Sequence, residues 1–211
     1  MGHFHFAMFE MMRRNPAAAA PHIEALIDLA RTHEMPTWAA YGSLLRPWSR
    51  RHLDGPDAGL SEMRAGIAAC REQGLGNFIP FIATGWAEVE VEAGEIEAAL
   101  ATIDRVIADS ERTGQRWFDA ESHRIRGDIL LKRDPANTAE EAFLTAIAIA
   151  QQQKAQSFEL RAAMSMARLW RDQGKRKEAR DLLAPVYGWF TEGFDTLDLK
   201  EARTLLDALA L

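Results

Sequence analysis

IEAALATIDRVIADSERTGQRWF (Ile96–Phe118) and, forty positions on, ANTAEEAFLTAIAIAQQQKAQSF (Ala136–Phe158) align without a gap. Ala99 falls on Ala139, Ile107 on Ile147 and Phe118 on Phe158. Working outward in steps of forty, the isoleucine column extends to Ile27 and Ile67, with Tyr187 next. Aromatics recur at Trp38 and Phe78, small residues at Ala19, Gly59 and Ala179, and turn formers at Asp54, Gly94, Asp134 and Gly174. A fixed period between 20 and 50 residues marks an architecture of stacked repeats.

Within each repeat, apolar residues recur at spacings of three and four, as in Ile23, Leu26, Ile27 and Ala30, or Phe143, Ala146, Ile147 and Ala150. That spacing puts them on one helix face. Alternation is absent, and Ala, Leu, Glu, Gln and Arg dominate, so strands are not expected. Gly74 and Gly114 read as residues just past helix ends. Asp54-Gly55-Pro56, Gly94, Asp134-Pro135, Gly174 and Asn15-Pro16 read as the turn inside each repeat. The pattern predicts helices near 2–14, 17–33, 37–52, 57–73, 78–93, 95–113, 117–133, 137–153, 157–173, 175–191 and 197–209. The expected fold is all-α: a right-handed α-solenoid and single domain over 1–211. Its units are about 1–36, 37–76, 77–116, 117–156 and 157–196, closed by a capping helix at 197–211. Pro47 interrupts a column of small residues (Ala7, Ala87, Gly127, Ala167) and predicts a kink or irregularity.

The two ends differ. Asp198 stands where the aromatic column would continue, and DLKEARTLLDALAL (Asp198–Leu211) is amphipathic, as terminal caps of solenoids are. The chain is therefore expected to end where the natural protein ends. At the start, Phe4, Phe6, Met8, Phe9, Met11 and Met12 put apolar side chains nearly all round one helix. This helix is expected to self-associate, with Phe4, Met8, Phe9 and Met12 as the seam of a homodimer, or to be covered by a preceding domain or further repeats.

The 211 residues are 47% hydrophobic and 27% charged, with a net charge of −6, an ordinary globular composition. An acidic balance argues against nucleic acid or an anionic membrane as partner. No run of apolar residues is long enough to span a membrane. The single cysteine, Cys70, excludes an internal disulfide framework, suits a cytoplasmic setting and is expected to fill a helix–helix contact.

Two-helix units with small residues at set positions resemble tetratricopeptide repeats of the longer variety. LWRDQGKRKEARDLLAPVYGWFTEGFDTLDLKEARTLLDAL (Leu169–Leu209) also looks like the end of large bacterial signalling proteins, as do HFHFAMF (His3–Phe9) and WFDAESHRIRGDILL (Trp117–Leu131). In that family a cyclase or winged-helix domain precedes a predicted ATPase module and a tetratricopeptide tail. The resemblance implies a non-catalytic interaction or regulatory module. It carries over no catalytic residues, because the segments that hold them are absent.

No chemistry stands out. Gly174-Lys175 lacks the preceding glycine and following hydroxyl of a phosphate loop. His3 and His5, two apart, point about 200° apart on a helix, a poor start for a metal site. No catalytic, metal or cofactor residue is expected.

Positions that defy the period are more informative, because stacking constrains the rest. In the first helix of each unit these include Tyr41, Trp48, Phe81, Glu88, Arg124, Asp128, Arg161, Arg168 and Arg171. As first helices line the concave groove of tetratricopeptide arrays, these residues are the candidate surface for a protein or peptide partner, or for another domain of the same protein. Arg161, Arg168 and Arg171 could anchor an acidic segment by bidentate contacts. They could equally pair with Glu121, Asp128 or Asp172 inside the array. The aromatic end, Tyr41, Trp48 and Phe81, would suit a small effector. Trp170, Trp189 and Phe194 read as packing of the cap.

Overall fold

The computed structural model describes residues 2–72, 78–134 and 138–210. Among these residues all regular structure is helical, in eleven helices: α1 (Gly2–Met12), α2 (Pro16–Thr32), α3 (Pro36–Asp54), α4 (Pro56–Glu72), α5 (Ile79–Glu92), α6 (Ile96–Thr113), α7 (Asp119–Arg133), α8 (Thr138–Gln153), α9 (Gln156–Asp172), α10 (Arg176–Gly188) and α11 (Leu197–Leu209). They follow the expected positions closely, since the local signals act within a turn or two of each boundary. Gly74 and Pro135 lie outside the described residues.

The turns have local causes. Asn15 caps α2, its side chain accepting from the Ala18 amide at 3.2 Å, and Pro16 opens the helix where its missing N–H costs nothing. After α5 and α9 the chain turns through Gly94 (φ 80°) and Gly174 (φ 81°), a left-handed conformation that a side chain disfavours. The next amides then reach back, Glu95 to the Glu90 carbonyl and Lys175 to the Trp170 carbonyl, each at 2.8 Å. Gly114 adopts the same conformation past α6.

Two compact units result, 1–102 and 103–211, with α6 running across the boundary. In 1–102, each of α1 to α4 packs on the helix that follows it, and the first helices of successive hairpins, α1, α3 and α5, also touch. Phe4 is fully buried and gathers the rings of Trp38, Tyr41 and Phe78 at 5.5, 5.1 and 5.0 Å. Small residues allow close approach: a Cβ on Gly42 would come within 2.5 Å of Ile27 on α2. α3 continues as helix through Pro47 to Asp54, and Gly59 on α4 leaves room for the proline, whose Cβ would be 2.9 Å from a Cβ there. Cys70 is fully buried, as its column implies, and burial pushes its thiol up.

The second unit repeats the scheme. α7, α9 and α11 lie side by side, with α8 and α10 as their hairpin partners. Leu160, Met164, Leu183, Ala202, Leu205 and Leu209 form one core joining α9, α10 and α11. α10 ends at Gly188, three residues before its expected limit of 191. Trp170 packs against this core, whereas Trp189 is 61% and Phe194 48% exposed, so neither seals the cap as expected. Phe194 meets Tyr187 edge-on at 6.0 Å.

Candidate functional site

The aromatic candidates do not line open space. Tyr41, Trp48 and Phe81 are 5, 2 and 1% exposed and fill the interior of 1–102. Burial raises the Tyr41 hydroxyl's pKa. Trp48 is further covered by Arg51, whose guanidinium lies 4.8 Å over the ring and donates to Glu92 at 3.1 Å. Glu88 is half-buried on α5. Of the four residues assigned to a self-association seam, Phe4 and Met8 are interior, Met12 is half-buried and Phe9 is 51% exposed.

The charged candidates converge within 103–211. Arg124 on α7 forms a two-pronged bond to Glu121, both distances 2.8 Å, and also donates to Asp128. Arg161 on α9 sits between two carboxylates. Its Nη1 donates to Glu121 at 3.3 Å, and its Nε and Nη2 reach Asp198 Oδ2 on α11 at 2.8 and 2.7 Å. Glu121, Arg124 and Arg161 are 4, 9 and 7% exposed, so this is an internal network tying three first helices together. The forty-residue step brings Arg161 against Glu121, one repeat apart in the same column, whereas its contact with Asp198 crosses between columns.

Farther along the same face the arginines open to solvent. Arg168, 41% exposed, donates to Glu201 on α11 at 3.0 Å; Arg171, 37% exposed, donates to Asp172 at 2.9 Å. Asp128 lies in a crowded recess yet keeps 42% of its side chain exposed. Desolvation pushes its carboxyl's pKa up, against the opposing pull of Arg124, a Ser165 hydrogen bond and Arg168. Between α9 and α11 is a depression of about 320 Å³. Arg168, Arg171, Lys200 and Glu201 rim it, and Leu205 and Ala208 are part of its lining. Arg168 and Arg171 each meet a carboxylate, Glu201 and Asp172, so the rim's excess positive charge comes from Lys200, around an interior that includes Leu205 and Ala208.

The arrangement thus separates the candidates. Arg161 meets Glu121 and Arg171 meets Asp172, as the alternative of internal pairing anticipates, and Arg124 is also consumed by internal ion pairs, with Glu121 and Asp128. Arg168 and Arg171 remain accessible at the recess. Lys200, Glu201 and Asp198 were missed as partners, because the sequence reading treated α11 only as a cap. Asp198 and Glu201 meet Arg161 and Arg168 at separations of 37 and 33 residues, so the forty-residue columns do not pair them. Among the described residues no group of three or more His, Cys, Asp or Glu side chains is placed to hold a metal ion. No helix among them is long and apolar enough to cross a membrane.

No family model matches the chain. An uncharacterized protein of Rhizobium meliloti (strain 1021) is 29% identical over 145 residues, covering 68% of this chain but only 14% of that protein. Among solved structures, a putative kinesin light chain of Podosopora anserina with nearly identical TPR-like repeats superposes with a TM-score of 0.60 at 14% identity, over 89% of this chain and 92% of that one. A second structure of it gives 0.57 at 13% identity, over 98% and 94%. MamA gives 0.52 at 14% identity, over 95% and 94%. The hairpin succession, the side-by-side first helices and these superpositions agree: the chain has the fold of a TPR-like repeat protein.

Proposed function

We propose that this chain is a non-catalytic, cytoplasmic interaction and regulatory module, the repeat tail of a large signalling regulator of the ATPase–cyclase type. It takes an acidic peptide segment, from a partner or from another domain of its own protein, on the first-helix face of 103–211. The recess rimmed by Arg168, Arg171 and Lys200 carries this reading. Its cations suit carboxylates, and its apolar interior suits one aliphatic side chain between them. Repeat arrays commonly bind along the surface formed by successive units. The match to only 14% of a Rhizobium meliloti protein supports a place within something much larger.

Fluorescence anisotropy against an array of labelled acidic peptides tests the reading. The double variant Arg168→Glu, Lys200→Glu should weaken the best binder by about a hundredfold, since each lost charged contact is worth roughly tenfold or more. Its helicity by circular dichroism should match wild type. Undiminished binding by a folded double variant refutes the site; no binding by any acidic peptide refutes the ligand class.

A further inference from the structure

Two ion pairs join α9 to α11, and they differ in depth. Arg161 meets Asp198 with side chains 7 and 15% exposed. Arg168 meets Glu201 at 3.0 Å with side chains 41 and 27% exposed. The deep pair belongs to the buried network, which continues through Glu121 to α7. The shallow pair crosses the recess from wall to wall, because Arg168 lines it from α9 and Glu201 from α11.

The two helices do not depend on the shallow pair. Leu160, Met164 and Ala167 of α9 share an apolar core with Leu199, Leu205 and Leu209 of α11. The Arg161–Asp198 bond adds a buried link. Near the end of α11, Arg176 of α10 donates to the Ala208 carbonyl at 2.6 Å. A partly exposed ion pair shifts an equilibrium by about fivefold at most, so α11 stays docked when the shallow pair opens.

What the pair does control is access to Arg168. Arg171 is answered by Asp172 on its own helix, whose side chain is 66% exposed and well screened by water. Lys200 is exposed on the opposite wall. Arg168 is different, because its carboxylate partner reaches it from across the recess. A carboxylate arriving at Arg168 meets Glu201 as a like charge and has to take its place.

On the reading of the recess as an acidic-peptide site, we infer that Glu201 is an internal competitor for it: its carboxylate straps Arg168 across the recess, and an acidic segment gains Arg168 only by displacing it. One carboxylate of the segment is answered by Lys200 with the strap closed. A second one gains Arg168 but loses the Arg168–Glu201 pair, so it adds little while Glu201 holds its charge.

Fluorescence anisotropy of the full chain with two labelled peptides, one centred on Glu-Leu-Glu and one on Glu-Leu-Gln, tests this. Glu201→Gln should bind the first about three- to tenfold more tightly than wild type, as one ion pair and one like charge are removed. The second should change by less than about twofold, because screening weakens the effect of Glu201 away from Arg168. Asp207→Asn makes the same charge change on an exposed position of α11 outside the recess lining and should leave both affinities within about twofold. Adding Arg168→Gln to Glu201→Gln should abolish the gain. Tightening by Glu201→Gln that is equal for both peptides is a general charge effect and overturns the inference. So does a folded Glu201→Gln that binds Glu-Leu-Glu no better than wild type; wild-type binding then leaves the acidic-peptide reading standing. Binding of Glu-Leu-Glu by Glu201→Gln alone, with none by wild type, supports the strap. Binding of neither peptide by either protein refutes the acidic-peptide reading, and the strap falls with it.

Discussion

Replacing Arg161 by Met removes a buried side chain that joins α7, α9 and α11 through charge. Arg161 is 7% exposed, and it donates to Asp198 at 2.8 and 2.7 Å and to Glu121 at 3.3 Å. Breaking a buried pair by removing one partner costs about 3–5 kcal/mol, because the other charge stays desolvated. Two features lower that figure here. Glu121 keeps its two-pronged bond to Arg124, and the Asp198 side chain, 15% exposed, retains some water. Met also fills the volume of the arginine stem. The expected loss is therefore about 2–3 kcal/mol, dominated by Asp198, as hydrogen bonds to charged groups contribute about 1.5–3 kcal/mol. Urea unfolding followed by circular dichroism measures it as a fall in the midpoint at constant m-value. The cycle with Asp198→Asn isolates the pair: the double variant should lose about 1.5 kcal/mol less than the sum of the singles. Arg161→Lys should recover little, since an ammonium cannot span both carboxylates. If Arg161→Met costs below about 0.5 kcal/mol, the range of ordinary surface changes, and the cycle is additive, Arg161 is a surface residue and the internal network is wrong.

Two further perturbations probe the packing and the buried charge. Gly127→Ala on α7 would push a methyl into the Phe143 ring of α8, whose Cδ1 lies 2.6 Å from the added carbon, and should destabilise by about 1–3 kcal/mol in the same urea assay. Glu90, 8% exposed, has its carboxyl pushed above the usual 4.5 by burial, against a hydrogen bond with Thr102 and the charge of Arg64. The native state thus holds this proton to higher pH than the unfolded chain does. Stability from it is fully present below the unfolded value and lost as pH rises through the native one. Glu90→Gln should therefore raise the urea midpoint at pH 7, with the gain shrinking as pH falls through that window; a gain independent of pH would refute the assignment.

The legible part of the site was its membership, and the illegible part was its exposure. The columns that defy the period do share the first helices, and Arg168 and Arg171 do reach an accessible rim. Yet the same columns give core in one unit and ions in the other: Tyr41 and Phe81 are interior, while Glu121 and Arg161 form a buried bridge. A column fixes which residues are neighbours across successive units. It does not fix how deeply the neighbouring backbone sinks them. Lys200 and Glu201 escaped notice because α11, read as a lid, also supplies one wall of the recess.

The forty-residue period, the turn glycines and the helical spacing determined by themselves that this chain is a succession of helical hairpins. Those signals are local, acting through backbone preference and side-chain spacing over a few residues. Tertiary packing alone decided which charges are spent internally and which remain at the surface. Those outcomes depend on the approach of side chains thirty to forty residues apart, and no local preference encodes that distance.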